Sequence, residues 1–155
     1  MRRRGQAGFT IVEVVSVVMI IGVLAALVLP SIKVNAIRVK MSEALLAFGQ
    51  CRNTVTEIYL SNGEPPADGV WGCEVDKDAS HYVDAIKVDP VGVIMVSLHG
   101  FGDLRLDTFD VTLAPLDNTG SLPSGNGAPI RRWRCGSPAD GTSVLPQFLP
   151  SSCRG

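Results

Sequence analysis

The amino-acid sequence predicts an α+β chain in which a long N-terminal α-helix, with a protruding apolar half and an amphipathic half, packs on a roughly four-stranded antiparallel β-sheet. Three observations predict it. The run from Phe9 to Ile32 is apolar apart from Thr, Ser and Pro positions and one carboxylate, Glu13. From Val34 the apolar residues recur every three or four positions, the helical period. Beyond residue 80, short segments rich in β-branched residues alternate with turn residues.

The apolar run is 24 residues long, enough for a helix rising ~1.5 Å per residue to cross a hydrocarbon core of ~30 Å. The amphipathic stripe then reads Val34, Ile37, Met41, Leu45, Phe48, Cys51 or Arg52, Val55 and Ile58, with Lys33, Arg38, Lys40, Glu43, Gln50 and Asn53 mostly off it. One helix is therefore expected from Phe9 to about Leu60, bent just before Pro30, which removes a backbone donor inside the pattern. Ser61-Asn62-Gly63-Glu64-Pro65-Pro66 ends it. A loop over 61–80 follows, then strands at 82–88, 91–98, 109–113 and 130–134, with Asp89-Pro90 a tight link between the first two. Short consecutive connections favour an antiparallel meander over βαβ units. The last stretch, from Cys135 to Gly155, carries three prolines and reads as a loop pinned to the sheet.

The hydrophobic fraction is 46%, and its excess is concentrated in the first thirty residues. Arg2, Arg3 and Arg4 precede the apolar run, and the remainder after Gly8 holds eleven basic against fifteen acidic residues, a balance of −4. That is too mild to imply a partner. The arginine cluster predicts a cytoplasmic N-terminus, with the bulk of the chain on the far side of the membrane. A secretory signal peptide is the plain alternative. It expects a small-residue exit after a short apolar region, whereas here Ala7-Gly8 comes before the run and the run ends in LVLPSIKV. A bare membrane anchor leaves Glu13 without a reason, since a central acidic residue costs ~2.5 to 3.5 kcal/mol on insertion scales.

Gly8-Phe9-Thr10-Ile11-Val12-Glu13-Val14 resembles the processing motif of type IV pilins and the related pseudopilins. In that motif a short basic leader ends in Gly, followed by Phe-Thr, two aliphatic residues and Glu, and Pro30 stands where the family commonly has proline. The resemblance implies that a membrane-embedded prepilin peptidase cuts between Gly8 and Phe9 and methylates the new amine of Phe9. It implies residues 1–8 as a leader, 9–32 as transmembrane and filament-core helix, and 33–155 as a globular head. Glu13 then gains a role: in a bundle of identical helices offset along the axis, the Phe9 amine of one copy reaches Glu13 of a neighbour. Buried ion pairs roughly break even, but a lone buried charge is strongly penalised, so the pairing sets register.

Four cysteines without a CxxC spacing point to disulfides and an oxidising compartment. Three connectivities are open. Pairing Cys51 with Cys73 and Cys135 with Cys153 closes two local loops, each worth ~3 kcal/mol in the chain-entropy model, and the second bridge resembles the one bounding the variable loop of many pilins.

No catalytic, metal or cofactor site is expected. His81 and His99 read as exposed loop or strand-end residues, and Asp103, Asp107 and Asp110 as solvated loop carboxylates lacking the Gly and Glu of an EF-hand. No P-loop, G-x-S-x-G or H-E-x-x-H is present. Arg131, Arg132 and Arg134 could form a basic patch for nucleic acid, but partnering aspartates across strands is the favoured expectation. The sequence thus reads as a structural part, a major-type pilin held in the inner membrane before extraction into an extracellular filament of its own copies. Assembly platform and motor ATPases act on it indirectly, and adhesion, twitching motility or DNA uptake follows from the filament. A minor pilin, a type II secretion pseudopilin and a membrane-anchored periplasmic binding domain are the alternatives.

Overall fold

The computed structural model describes residues 8–61, 65–66, 70–124 and 129–155, and of residues 29–31 the backbone alone. The basic leader at 1–7 and parts of the 61–80 loop lie outside the described residues. The chain divides into two compact units, residues 1–35 and 36–155.

Helix α1 spans Ile11–Leu46 and α2 spans Phe48–Leu60. The expected single helix is thus interrupted only at Ala47. That residue keeps helical dihedrals (φ −61°, ψ −25°), but its N–H bonds to the Ala44 carbonyl, three residues back rather than four. Helical backbone continues through Gly22 and Pro30. The helix begins two residues later than expected because Thr10 caps it.

In the second unit, the strands are β1 (Val83–Val88), β2 (Ile94–Leu98), β3 (Asp110–Leu116) and β4 (Arg132–Cys135). They form one antiparallel sheet in the order β1-β2-β3-β4, the expected meander. Register places Ile86 opposite Val96, Val88 opposite Ile94, Val96 opposite Val111 and Ile94 opposite Leu113, so one face is a continuous apolar layer. A bulge between Val83 and Ala85 shifts the phase by one residue. Val83 thereby joins the same buried layer instead of pointing away from it.

That layer meets the helical face made by Met41, Ala44, Phe48, Cys51, Val55 and Tyr59. Ala44 and Tyr59 were not on the expected stripe. The stripe drifts with the 3.6-residue period, so Ala44 takes the place beside Met41, leaving Leu45 half-buried, and Tyr59 takes the place beside Ile58.

Strand bounds differ from expectation for local reasons. Residues 89–93 form a turn, not a strand start, because the Asp89 carboxylate accepts the N–H groups of Val91 (3.0 Å) and Val93 (2.8 Å). Strand β3 runs on to Leu116, carrying Pro115 opposite Trp133. The C-terminal stretch is more than a pinned loop. Val144, Phe148, Leu149 and Cys153 enter the core. Thr142 and Ser143 also bond the near end of β3, through Thr112 N–H to Thr142 Oγ1 (3.1 Å) and Asp110 N–H to Ser143 Oγ (2.8 Å). Gly136, with φ +76°, lets this segment turn back, since a Cβ there would collide with the Cys153 carbonyl.

Candidate assembly surfaces

The first unit inverts the usual burial pattern. Phe9 is 80% exposed and Ile11 83%, and the large apolar residues from Val12 to Val28 stay exposed as well. Among the described residues, one helix, beginning at Ile11, is long and apolar enough to cross a membrane. Its start is built by Thr10-Ile11-Val12-Glu13. The Glu13 N–H donates to Thr10 Oγ1 (3.3 Å) and to the Thr10 carbonyl (3.1 Å), the N-terminal half of a capping box. Among the described residues the Glu13 carboxylate has no hydrogen bond or ion pair, so the reciprocal half of the box is not made. Sequence reasoning missed this role of Thr10, although Thr-x-x-Glu ahead of an apolar run is the signature that could have found it.

In the head, the loop leaving α2 is tied down by two devices. The first is the disulfide between Cys51 of α2 and Cys73. The second is Glu74, whose carboxylate accepts three successive N–H groups, from Trp71 (2.7 Å), Gly72 (2.8 Å) and Cys73 (3.0 Å). Trp71 is thereby set into the core against Tyr59, their ring centroids 6.3 Å apart, and its Nε1–H donates to the Asp89 carbonyl (3.0 Å). Tyr59 donates its hydroxyl to the Val91 carbonyl (3.1 Å). Burial, and secondarily the negative charge of Asp89, push the Tyr59 phenol above its ordinary pKa. The second disulfide joins Cys135, at the end of β4, to Cys153.

The arginines of β4 do not pair as expected. Arg134 binds Asp140 with two bonds (2.7 and 2.6 Å), but Asp140 lies on the 3₁₀ turn just after the strand, not on a neighbouring strand. That bond raises the Arg134 pKa further. Arg131 and Arg132 are exposed, and among the described residues they have no carboxylate partner. Gly120 (φ +85°) leaves the room that the Arg132 guanidinium occupies, 2.6 Å from where a Cβ would sit.

The aspartates expected to be solvated are each engaged, Asp103 and Asp107 within a turn and Asp110 across the sheet from β3 to β2. Asp107 accepts the N–H groups of Phe101 (2.6 Å) and Gly102 (3.0 Å), Asp103 that of Arg105 (3.0 Å), and Asp110 accepts the Ser97 hydroxyl (2.7 Å). No group of metal-ligating side chains is gathered among the described residues. His81 is exposed, but His99 is half-buried with its Nδ1 out of solvent and without a hydrogen bond. A position following β2 put it under the 81–82 turn, to which its N–H is bonded (3.2 Å).

Comparison with known proteins agrees with this arrangement. Residues 38–154 match the family described as pilin (bacterial filament), and residues 3–29 match the prokaryotic N-terminal methylation motif. The chain is 32% identical to the fimbrial protein EcpC of Eikenella corrodens over 99% of its own length and 94% of that protein. It is 33% identical to the type IV major pilin protein PilE1 of Neisseria gonorrhoeae, over 96% of its length and 87% of that protein. A fimbrial protein of Neisseria meningitidis is 31% identical over 96% and 94%. An outward-facing apolar helix joined to a disulfide-tied helix-on-sheet head, matched over nearly its whole length, means that the chain belongs to the pilin family of bacterial filament subunits.

Proposed function

We propose that this chain is a type IV pilus subunit that polymerises through its N-terminal helix into a surface filament serving adhesion, twitching motility or DNA uptake. A prepilin peptidase cuts between Gly8 and Phe9 and methylates the Phe9 amine. The precursor sits in the inner membrane with its N-terminus in the cytoplasm, and an assembly platform driven by motor ATPases draws it into the filament. There the Phe9 amine of one copy meets Glu13 of the next, and the segment through Pro30 packs in the filament core.

The observation that carries this reading is the helix from Ile11 with its apolar side chains outward and a single unpartnered carboxylate at Glu13. Such a surface is stable only in hydrocarbon or against other apolar helices. The match of residues 3–29 to the methylation motif supports the processing step. Mass spectrometry of filaments sheared from cells tests it. A dominant chain beginning with methylated Phe9 is expected. A mature chain with another N-terminus, or sheared material in which this chain is only a trace, would overturn it in favour of a minor subunit or a plain anchor.

A further inference from the structure

We infer that, while the chain is held in the membrane, its head rests on anionic lipid headgroups through Arg38 and Lys40, with Val39 and Leu145 as the apolar contacts. This deepens the inner-membrane reading above and rests on it.

Between Glu13 and Glu43 the sequence has no acidic residue, and its only basic ones are Lys33, Arg38 and Lys40. All three follow the apolar run directly. Arg38 and Lys40 come six and eight residues after Ile32, a chain length of ~9 and ~12 Å at the helical rise. The headgroup layer is about 5 to 7 Å deep on each face, and the side chains of a helix lean toward its N-terminus, here the end that carries the apolar run. Long basic side chains reach such a layer on their flexible stems.

In the head both cations are held by uncharged groups. Arg38 Nε donates to the Gln147 carbonyl (2.9 Å), and the Lys40 ammonium lies 5.5 Å from the centroid of the Tyr82 ring. Successive helical residues turn by about 100°, so the two leave the helix on opposite flanks of the core face made by Ile37, Met41 and Ala44. The segments that hold them, 79–83 and 142–149, contain no carboxylate. Beyond those segments, Glu43 lies further along the helix from the apolar run and Asp84 is half-buried on β1. Asp103 is paired with Arg105 (3.4 Å), and Asp107 accepts the Phe101 and Gly102 N–H groups. Among the described residues none of these carboxylates forms an ion pair with Arg38 or Lys40.

Apolar surface accompanies the charge. Val39 is 72% exposed between the two cations, and Leu145 is 47% exposed on the turn that ends in Gln147. Fixed positive charge beside exposed aliphatic side chains suits the boundary between headgroups and hydrocarbon. Only three residues separate Ile32 from Ala36, where the second unit begins. The bilayer is therefore at hand for this surface until the chain is extracted, whereas a soluble acidic partner has to be captured.

Single copies of the full chain in nanodiscs test the docking, one set made of phosphatidylcholine alone and one of phosphatidylcholine and phosphatidylglycerol in equal parts. Amide exchange over residues 145–147 is expected to be about tenfold slower in the anionic discs, and high salt to erase the difference. Arg38→Gln with Lys40→Gln should erase it too, each change weakening the contact about fivefold, while Arg38→Lys with Lys40→Arg should keep it. Each variant is compared with itself in the two lipids, so a loosened head does not mimic the effect. Equal exchange in both discs, or a difference that survives high salt or the two glutamines, would overturn the docking. A difference seen only in discs that hold two copies would overturn it in favour of contact between heads. A chain that does not enter the discs through its apolar helix removes the inner-membrane reading itself.

Discussion

The two units of this chain are written for different surroundings. In the head the apolar side chains turn inward: Ile94, Val96 and Val111 are fully buried. Several carboxylates there are engaged by backbone N–H groups or by an arginine, as at Glu74, Asp107 and Asp140. In the N-terminal unit the apolar side chains turn outward and the one carboxylate has no partner among the described residues. A residue type therefore has no fixed meaning along the chain. An isoleucine at 21 and an isoleucine at 94 obey the same hydrophobic effect, but the first can satisfy it only with lipid or another molecule.

Separating the two units experimentally sharpens this contrast. Glu13→Ala should have the largest effect, and on assembly alone: filament mass falls by more than about a hundredfold, in line with the ~3 to 5 kcal/mol cost of leaving a buried partner charge unpaired. Thermal unfolding of the head in the detergent-solubilised chain should not move. Wild-type filament mass from this variant would break the comparison. Next, Ile94→Ala should destabilise the head by ~3 kcal/mol through its cavity, read by the fluorescence of Trp71 and Trp133 in a denaturant titration, whereas Ile21→Ala should leave that midpoint unchanged. Equal shifts would mean that the helix surface is structural to the head.

The smallest effect concerns a surface turn. Asp117 accepts the Thr119 hydroxyl (2.7 Å) and the N–H groups of Thr119 (2.8 Å) and Ser121 (3.1 Å), and its pKa is lowered, by the Thr119 hydroxyl first. A depressed pKa means that the turn gains from the charged form above the unfolded value, about 3.9, and loses that gain as pH falls through the folded one. The protection of the Thr119 and Ser121 amides, taken relative to their intrinsic exchange rates, should therefore fall below about pH 4, and Asp117→Asn should abolish that pH-dependent loss of protection. A pH-independent wild-type turn would contradict it.

What could be read from the residues alone follows the range of the interactions. The helix, the four strands and their meander rest on periodicity and short connections, so they were legible to within a few residues. Contacts that join distant positions were not. Nothing local reveals that Thr142 and Ser143 cap β3, that Phe148 and Leu149 enter the core, or that Trp71 stands on Tyr59. The arginine pairing failed for the opposite reason: the partner of Arg134 was six residues away, closer than a cross-strand aspartate. The assembly motif around Glu13 was readable because its parts are contiguous, but the capping by Thr10 went unused.

The bridges that Val75 and Ser80 make along β1 have one more consequence. A fibre crowds identical sheets together at very high local concentration, the condition under which bare strand edges zip into cross-β aggregates. Here one border is sealed by the chain's own backbone, and the other is only four residues long and guarded by arginines. The head is thus inert to the one kind of polymerisation that a sheet invites, which leaves the order of assembly to the helix.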